Sequence, residues 1–150
     1  MNTIVLDADL AKLEDLRGFI GAELDRAECP NQERRRIELA AEELFVNIAF
    51  YAYRNPLAGG ETGEPARLGS VTVRCGTQGT SAGTTLTLSF TDRGEPFNPL
   101  EHPEPDLAQP LEARPAGGLG ILMVKRMMDA VVYDRIDGTN HLTLQKSWET

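Results

Sequence analysis

Two amphipathic helical patterns follow one another directly in the first third of the chain, with no strand between them. The first begins after Asp7 or Asp9, either of which is a candidate N-cap, and Pro30 ends it. Its apolar stripe consists of Leu13, Leu16, Ile20, Leu24 and Ala27. The second covers about residues 32–53, with Asn31 as a candidate N-cap. Its buried side consists of Ile37, Ala41, Leu44, Phe45, Ile48 and Ala52. This clustering departs from the strict alternation of a Rossmann-type sheet and favours an α+β two-layer sandwich.

Five short segments have the composition or alternation of strands. They cover residues 3–6, 71–74, 84–91, 130–136 and 141–146. In the third segment Leu86, Leu88 and Phe90 alternate with Thr and Ser, which indicates a strand with one buried face. Residues 76–83 are expected to form the loop of a hairpin, and residues 137–138, Asp-Gly, predict a tight turn between the last two strands. The expected sheet is mixed and mostly antiparallel, with helices on one face.

Two long segments carry no helix or strand pattern. Residues 56–70 hold four glycines and two prolines, and residues 98–116 hold five prolines and few apolar side chains. A loop as long as the second is usually either disordered or functional, for example a lid over a site. A third helix follows it, with one face formed by Ile121, Val124 and Met128.

Length and composition fit one globular domain over residues 1–150, with 41% hydrophobic and 25% charged residues. The net charge of −8 argues against a nucleic-acid surface, which needs a basic face. No secretory signal and no apolar run of about 20 residues is present, so a cytoplasmic protein without a membrane span is expected. In that compartment Cys29 and Cys75 are expected to be free thiols.

The second helix carries Glu43 and Asn47 one turn apart on the same face, in a stretch that is otherwise apolar up to Tyr53. A buried amide needs polar partners, and Mg²⁺ with its waters would satisfy Asn47. Glu43 could then take a proton from an attacking hydroxyl or water. By themselves these two residues also fit a solvent-exposed helix face.

Asp92 ends a predicted strand, and Gly94 follows in the run Thr-Asp-Arg-Gly-Glu-Pro-Phe. An aspartate in this position can accept a hydrogen bond from an exocyclic amine such as that of adenine, and a glycine leaves the backbone beside it unobstructed. The same residue types also make an ordinary turn.

A glycine cluster, Gly117-Gly118-Leu119-Gly120, opens the third helix. Glycines let a phosphate approach the backbone, and the unpaired N–H groups at a helix start favour it. The cluster matches neither a Walker loop nor the dinucleotide-binding glycine pattern. Alone, it also fits a hinge at a helix start.

The order of these features is informative. Glu-x-x-x-Asn on a helix, Asp-x-Gly-x-Pro-Phe after a strand, a proline-rich lid, and Gly-Gly-Leu-Gly-Ile at a helix start resemble the N-box and two glycine boxes of the GHKL (Bergerat-fold) ATPases. The resemblance covers about residues 32–146. Within that superfamily the short lid and the last strand, Asn-His-Leu-Thr-Leu-Gln-Lys, are most similar to the anti-sigma-factor serine kinases.

The resemblance implies a site for ATP and Mg²⁺ and assigns roles to matching positions. Glu43 is expected to be the general base and Asn47 the metal ligand. Asp92 is expected to read the adenine amine, with Gly94 beneath the ring. The phosphates are expected to lie against the second glycine box, which consists of Gly117, Gly118, Leu119 and Gly120.

Three other positions match less well. Many relatives have a histidine where Tyr51 stands, which leaves Tyr51 without a role. Arg114 is the only arginine in the lid, where an arginine commonly approaches the γ-phosphate, but it lies farther from the glycine box than expected. Thr143, or else Thr139, would supply a hydroxyl near adenine.

The function that the resemblance implies is a serine/threonine protein kinase acting as an anti-sigma factor. Such a protein binds a sigma factor, phosphorylates a STAS-type antagonist on serine and is expected to be a homodimer. The alternative is a non-catalytic module that uses ATP only to control binding to a partner. A histidine kinase domain is disfavoured because no upstream dimerising helix with a phosphoacceptor histidine precedes the motifs.

Overall fold

The computed structural model of the chain describes residues 1–53, 69–101 and 118–150. Its strands are β1 (Asn2–Asp7), β2 (Ser70–Thr80), β3 (Gly83–Asp92), β4 (Ala130–Ile136) and β5 (Thr139–Trp148). Its helices are α1 (Leu13–Arg26), α2 (Asn31–Asn47) and α3 (Gly118–Met127). Short 3₁₀ turns cover Leu10–Lys12 and Pro99–Glu101, and α2 continues directly into a π-helical turn over Ile48–Ala52.

The five strands form one sheet in the order β1-β2-β3-β5-β4, and each of these neighbouring pairs is antiparallel. In the register of β3 and β5, Asp92 lies opposite Asn140 and Leu88 opposite Leu144. Directly paired residues point to the same face of a sheet, so Asp92 and Asn140 share a face with Leu88 and Leu144.

The core lies between one face of the sheet and the three helices. The sheet contributes the buried residues Val71, Val73, Leu86, Leu88, Phe90, Leu142 and Leu144. The helices contribute Leu16, Ile20, Leu24, Ile37, Ala41, Leu44, Phe45, Ile121 and Val124. On β3 and β5 the opposite face carries mainly Thr and Ser, as expected for an antiparallel sheet with one solvated face. The predicted α+β two-layer sandwich with helices on one face is therefore confirmed. The sheet was expected to be mixed, but all the strand pairs in the described residues are antiparallel.

Both predicted helix starts need refinement. Asp9 caps the 3₁₀ turn before α1, where its Oδ1 accepts a hydrogen bond from Ala11 N at 3.1 Å, and Asp7 belongs to β1. The prediction that Asn31 caps α2 is wrong, because Asn31 is already the first helical residue. Pro30 precedes it in an extended conformation and provides no side-chain cap.

The predicted hairpin loop over residues 76–83 is also wrong. β2 extends to Thr80, and only Ser81 and Ala82 separate it from β3. This segment is rich in Gly, Thr and Ser and has no apolar alternation, so backbone pairing with β3 extends the strand. The second hairpin is as predicted: Asp137 and Gly138 have φ values of 49° and 76°, the positive φ values of a type I′ turn.

Several other expectations concern the described residues only in part. Most of the loop over residues 56–70 and most of the lid over residues 98–116 lie outside them.

Cys29 and Cys75 are free, as predicted. Burial raises the pKa of Cys29 to about 11 and that of Cys75 to about 12, so neither is a reactive thiolate near neutral pH. Within the described ranges, no helix has the length and apolar character required to cross a membrane.

Candidate functional site

Asp92 is a buried carboxylate at the end of β3, the middle strand of the sheet, and it is 3% exposed. Its Oδ1 accepts hydrogen bonds from Gly94 N and from Asn140 Nδ2, each at 2.9 Å. Among the described residues, both hydrogen-bond donors to Asp92 bond its Oδ1. Oδ2 is therefore left for a donor from a ligand. Burial raises the pKa of Asp92, while the hydrogen bonds from Asn140 and Gly94 oppose the rise.

Asn140 lies beside Asp92 on β5 and is 2% exposed. Besides its bond to Asp92, its Nδ2 donates to Glu95 O at 2.8 Å. Its Oδ1 accepts from Phe97 N at 3.4 Å, from Arg135 at 3.1 Å and from the Tyr133 hydroxyl. One amide thus joins β3, β4, β5 and the segment that follows β3. The sequence analysis did not assign this residue a role.

Gly94 lies against the end of the π-helical turn. A Cβ added to Gly94 would lie 2.5 Å from Ala52 O and 2.7 Å from Ala52 C, which are backbone atoms that cannot easily move. Glu95 N also donates to Ala52 O at 2.7 Å. A cavity of about 510 Å³ adjoins this contact, lined by Ala52, Tyr53, Arg93, Gly94, Glu95, Pro96 and Arg135. Gly94 is therefore required for the close approach of the two backbones.

Aromatic side chains flank the same region. The Tyr53 hydroxyl donates to Ser70 O at 2.7 Å and accepts from Arg93 N at 3.0 Å. These bonds connect the end of the helix to the start of β2 and to the residue that follows β3. The ring of Tyr51 stacks on that of Phe97, with centroids 5.0 Å apart and planes 22° from parallel. Tyr51, which had no assigned role, therefore braces the segment after Asp92 against the helix.

Glu43 and Asn47 interact directly on α2. Asn47 Nδ2 donates to Glu43 O at 2.7 Å and to Glu43 Oε1 at 3.0 Å. Because both partners are acceptors, the amide nitrogen is fixed toward them and Asn47 Oδ1 is left for another group. Asn47 is 4% exposed, so that oxygen is held in place by packing.

The start of α3 lies against the Glu43 carboxylate. A Cβ added to Gly120 would lie 2.0 Å from Glu43 Oε1 and 2.1 Å from its Cδ. Glu43 and Gly120 line one groove of about 220 Å³ between α2 and α3. Gly120 thus allows the first turn of α3 to contact Glu43, and the alternative interpretation as a hinge is not needed to explain this glycine.

The two groups of residues are connected by one continuous helix. Glu43 contacts Gly120 near the middle of α2, and Ala52, nine residues later, contacts Gly94. At about 1.5 Å per residue the separation along the axis is roughly 13 Å. The two groups of residues are therefore separated along the helix by about two and a half turns.

Not every predicted site residue is brought to this region. Thr143 is three residues from Asn140 on β5, so it points to the opposite face of the sheet from Asp92. This register does not support the prediction that Thr143 supplies a hydroxyl near adenine, because Asn140 is the β5 residue that lies opposite Asp92. Arg114 and Gly117 lie outside the described residues. Gly118 and Leu119 belong to the first turn of α3.

The residue types in this region would suit Mg²⁺-ATP. A buried carboxylate with one unused oxygen suits an amine donor, and a glycine-bearing helix start suits phosphate. No group of three His, Cys, Asp or Glu residues that could hold a metal occurs in the described part of the chain. A magnesium ion would then have Asn47 Oδ1 as its protein ligand, together with phosphate oxygens and water, as is common for this ion.

The domain has an antiparallel sheet that helices cover on one face. A buried aspartate lies at the end of the middle strand, and the start of one helix contacts a glutamate on another. These features are those of an ATPase-type domain of the α+β class. The chain belongs to the family described as the histidine kinase-like ATPase domain, whose family model matches residues 6–146. The identification made from the three motifs is confirmed.

One relative supports this conclusion, and one solved structure supports the fold. The chain is 31% identical over 111 residues to the serine/threonine-protein kinase BtrW of Bordetella bronchiseptica. The aligned residues cover 74% of this chain and 68% of that protein. The crystal structure of the RsbU and RsbW domains of Rv1364c from Mycobacterium tuberculosis aligns with a TM-score of 0.54 at 14% identity. That alignment covers 100% of this chain and 34% of the solved chain, so the chain spans about a third of its length. At this identity the likeness supports the fold.

Proposed function

We propose that the chain binds Mg²⁺-ATP and transfers the γ-phosphoryl group to a serine of a partner protein. The observation that carries the proposal is the contact of Glu43 with both Asn47 and the first turn of α3. The carboxylate of Glu43 and the amide of Asn47, both on α2, thereby lie together against the start of α3. The similarity to a serine/threonine-protein kinase supports the same reaction.

The base of the nucleotide is proposed to lie beside Asp92. Oδ2 would accept a hydrogen bond from the adenine amine, and Gly94 would lie beside the base, held against the backbone of Ala52. A 6-carbonyl base such as guanine would place an acceptor against a carboxylate, so the site is proposed to prefer adenine.

The phosphates are proposed to lie along the first turn of α3, at Gly118, Leu119 and Gly120. The first backbone N–H groups of a helix have no partner within it and can bind an anion. Gly117 and Arg114 would extend this contact from the lid. Magnesium would offset the negative charge of the phosphate oxygens, with Asn47 as its ligand. Glu43 would accept the proton of the attacking serine hydroxyl, which it can do only while ionised.

The partner is proposed to be a STAS-type antagonist, and a sigma factor is a second proposed partner. A homodimer and a cytoplasmic location complete the proposal. It is supported by the family and by the kinase relative, and it assumes that the domain acts as an anti-sigma factor. The alternative is a module that binds ATP without transferring phosphate. The two proposals differ in whether labelled phosphate appears on the partner protein.

The experiment is a transfer assay with labelled ATP and a candidate antagonist. Glu43→Gln keeps the shape and the Asn47 contact but removes the base, so transfer is expected to fall on the order of 10²–10⁴-fold while ADP still binds. Glu42→Gln is the matched control, because the neighbouring Glu42 is paired with Arg17 instead. Transfer by Glu43→Gln at the wild-type rate would contradict its role as base. ATP binding without transfer by any form would favour the alternative.

A further inference from the structure

We infer that Asn140 is a positioning residue for the nucleotide base, because it fixes the Asp92 carboxylate with Oδ1 turned into the protein and Oδ2 left for the ligand. The inference rests on the proposed function for the identity of the ligand. The orientation of Asp92 itself can be tested without nucleotide.

The orientation of the Asn140 amide follows from its partners. Nδ2 lies within 2.9 Å of Asp92 Oδ1 and 2.8 Å of Glu95 O, both of which can only accept at this position. Oδ1 is approached by Phe97 N, Arg135 and the Tyr133 hydroxyl, which can all donate. Exchanging the amide oxygen and nitrogen would set donor against donor and acceptor against acceptor. Only one orientation satisfies the site.

This orientation determines what Asp92 can do. Its Oδ1 faces two donors, Asn140 Nδ2 and Gly94 N, so a proton cannot reside on that atom without breaking one of these bonds. Oδ1 is therefore an acceptor within the protein, and an amine of the ligand can approach only Oδ2. Without Asn140 the carboxylate would keep one bond, to Gly94 N, and could rotate.

Other charged and titratable groups surround the pair. Arg135 from β4 and His141 from β5 act on Asp92 electrostatically and favour its ionised form. Arg93 follows Asp92 in the chain, Tyr53 from the helix end lies near it, and the Tyr133 hydroxyl bonds Asn140. Since these groups bear on the charge of Asp92, any test by pH must compare the variant with the wild type at each pH.

The decisive variant is Asn140→Asp, which keeps the size of the side chain and replaces the amide donor. Two carboxylates at the distance of the present 2.9 Å hydrogen bond must share one proton. The shared proton restores the missing hydrogen bond at low pH and is lost as pH rises. In the ligand-free protein, carbon NMR of the Asp92 carboxyl is expected to show titration at a higher pH than in the wild type. The ratio of variant to wild-type ADP affinity is expected to fall about tenfold or more between about pH 5 and about pH 8.

A second pair of variants tests the donor at constant pH. Asn140→Thr and Asn140→Val have the same branched shape, but only threonine offers a hydroxyl donor to Asp92. Both suit a strand, so loss of folding would affect both alike. The threonine variant is expected to bind ADP on the order of tenfold more tightly than the valine variant.

The outcomes separate this inference from the proposed function. An Asp92 titration unchanged by Asn140→Asp would overturn the inference, whether or not nucleotide binds. Equal ADP affinity of the threonine and valine variants at the wild-type level would overturn it as well. A wild-type protein that does not bind ADP would overturn the proposed function, and the Asp92 titration would still decide whether Asn140 orients the carboxylate.

Discussion

Gly120 is the residue at which the smallest chemical change alters the site. A Cβ on Gly120 would lie 2.0 Å from Glu43 Oε1, which is too close for both atoms to keep their places. The glutamate would have to leave Asn47 or α3 would have to move away from α2. The glycine is therefore required by a contact between two side-by-side helices, and its conformational freedom is not the reason.

Replacing this glycine by alanine can be compared with the same change at another helical glycine. Gly18 lies in α1, and a Cβ there would meet no atom within 4 Å. Gly18→Ala is expected to raise the free energy of unfolding by about 0.5–1 kcal/mol, because alanine restricts the unfolded chain and favours the helix. Gly120→Ala is expected to show no such increase in the free energy of unfolding and to bind ATP more weakly than the wild type. Urea unfolding and calorimetry of both variants would test this, and equal stabilisation without loss of ATP affinity would refute the contact.

At the scale of secondary-structure elements, two sets of contacts hold α1 and α2 in place. Helix α2 reaches both ends of the site through its contacts with Gly120 and Gly94. Helix α1 is fastened by the buried Glu23, whose carboxylate accepts from Thr77 Oγ1 at 2.9 Å, from Asn2 Nδ2 at 3.3 Å and from Arg26. Glu23 therefore joins α1 to β1 and β2 at the β1 edge of the sheet.

The Glu23 attachment is expected to make stability depend on pH. Burial acts to raise the pKa of Glu23, but the hydrogen bonds from Arg26 and Thr77 outweigh it and hold the pKa below its ordinary value of 4.5. A carboxyl with a lowered pKa in the folded state stabilises above its unfolded pKa, and the contribution is lost as pH falls through the folded value.

Glu23→Gln is accordingly expected to lower the free energy of unfolding by about 1–2 kcal/mol at pH 7. This is at the lower end for bonds to a charged group, because the Arg26 side chain is 69% exposed. The difference from wild type should shrink below about pH 4. Glu28→Gln, an exposed carboxylate two residues beyond α1, is the control. Urea unfolding at both pH values measures the effect, and a difference independent of pH would contradict it.

At the scale of the whole molecule, the net charge of −8 bears on how a phosphorylated partner leaves. A phosphoserine adds about −1.5 to −2 charges and would be repelled by an acidic protein. A serine-to-aspartate mimic of a STAS-type antagonist is expected to bind more weakly than the native antagonist. The difference should be larger in about 0.01 M salt, where charges act over about 30 Å, than in about 1 M salt, where they act over about 3 Å. Equal binding of both forms at low salt would rule out release by repulsion.

The sequence predicted the features that depend on local pattern. Helical periodicity identified α1 and α2, alternation identified β3, and the order of Glu43, Asp92 and the glycine box identified the family. The extension of β2 was missed because its Gly- and Thr-rich end pairs through the backbone, which side-chain pattern does not reveal. Asn140 was missed although its position two residues before Leu142 places it on the core-facing side. The same alternation does not support the placement of Thr143 near adenine.

The central claim, that this domain holds an adenine nucleotide through Asp92, is tested most directly by calorimetry. Wild type, Asp92→Ala and the exposed control Asp134→Ala would each be titrated with ADP in the presence of Mg²⁺. Removal of the carboxylate leaves the adenine amine without its acceptor, so Asp92→Ala is expected to bind more weakly by about 1–3 kcal/mol, roughly 5- to 150-fold, while the control binds as wild type. Equal ADP affinity for wild type and Asp92→Ala would contradict the assignment of the site.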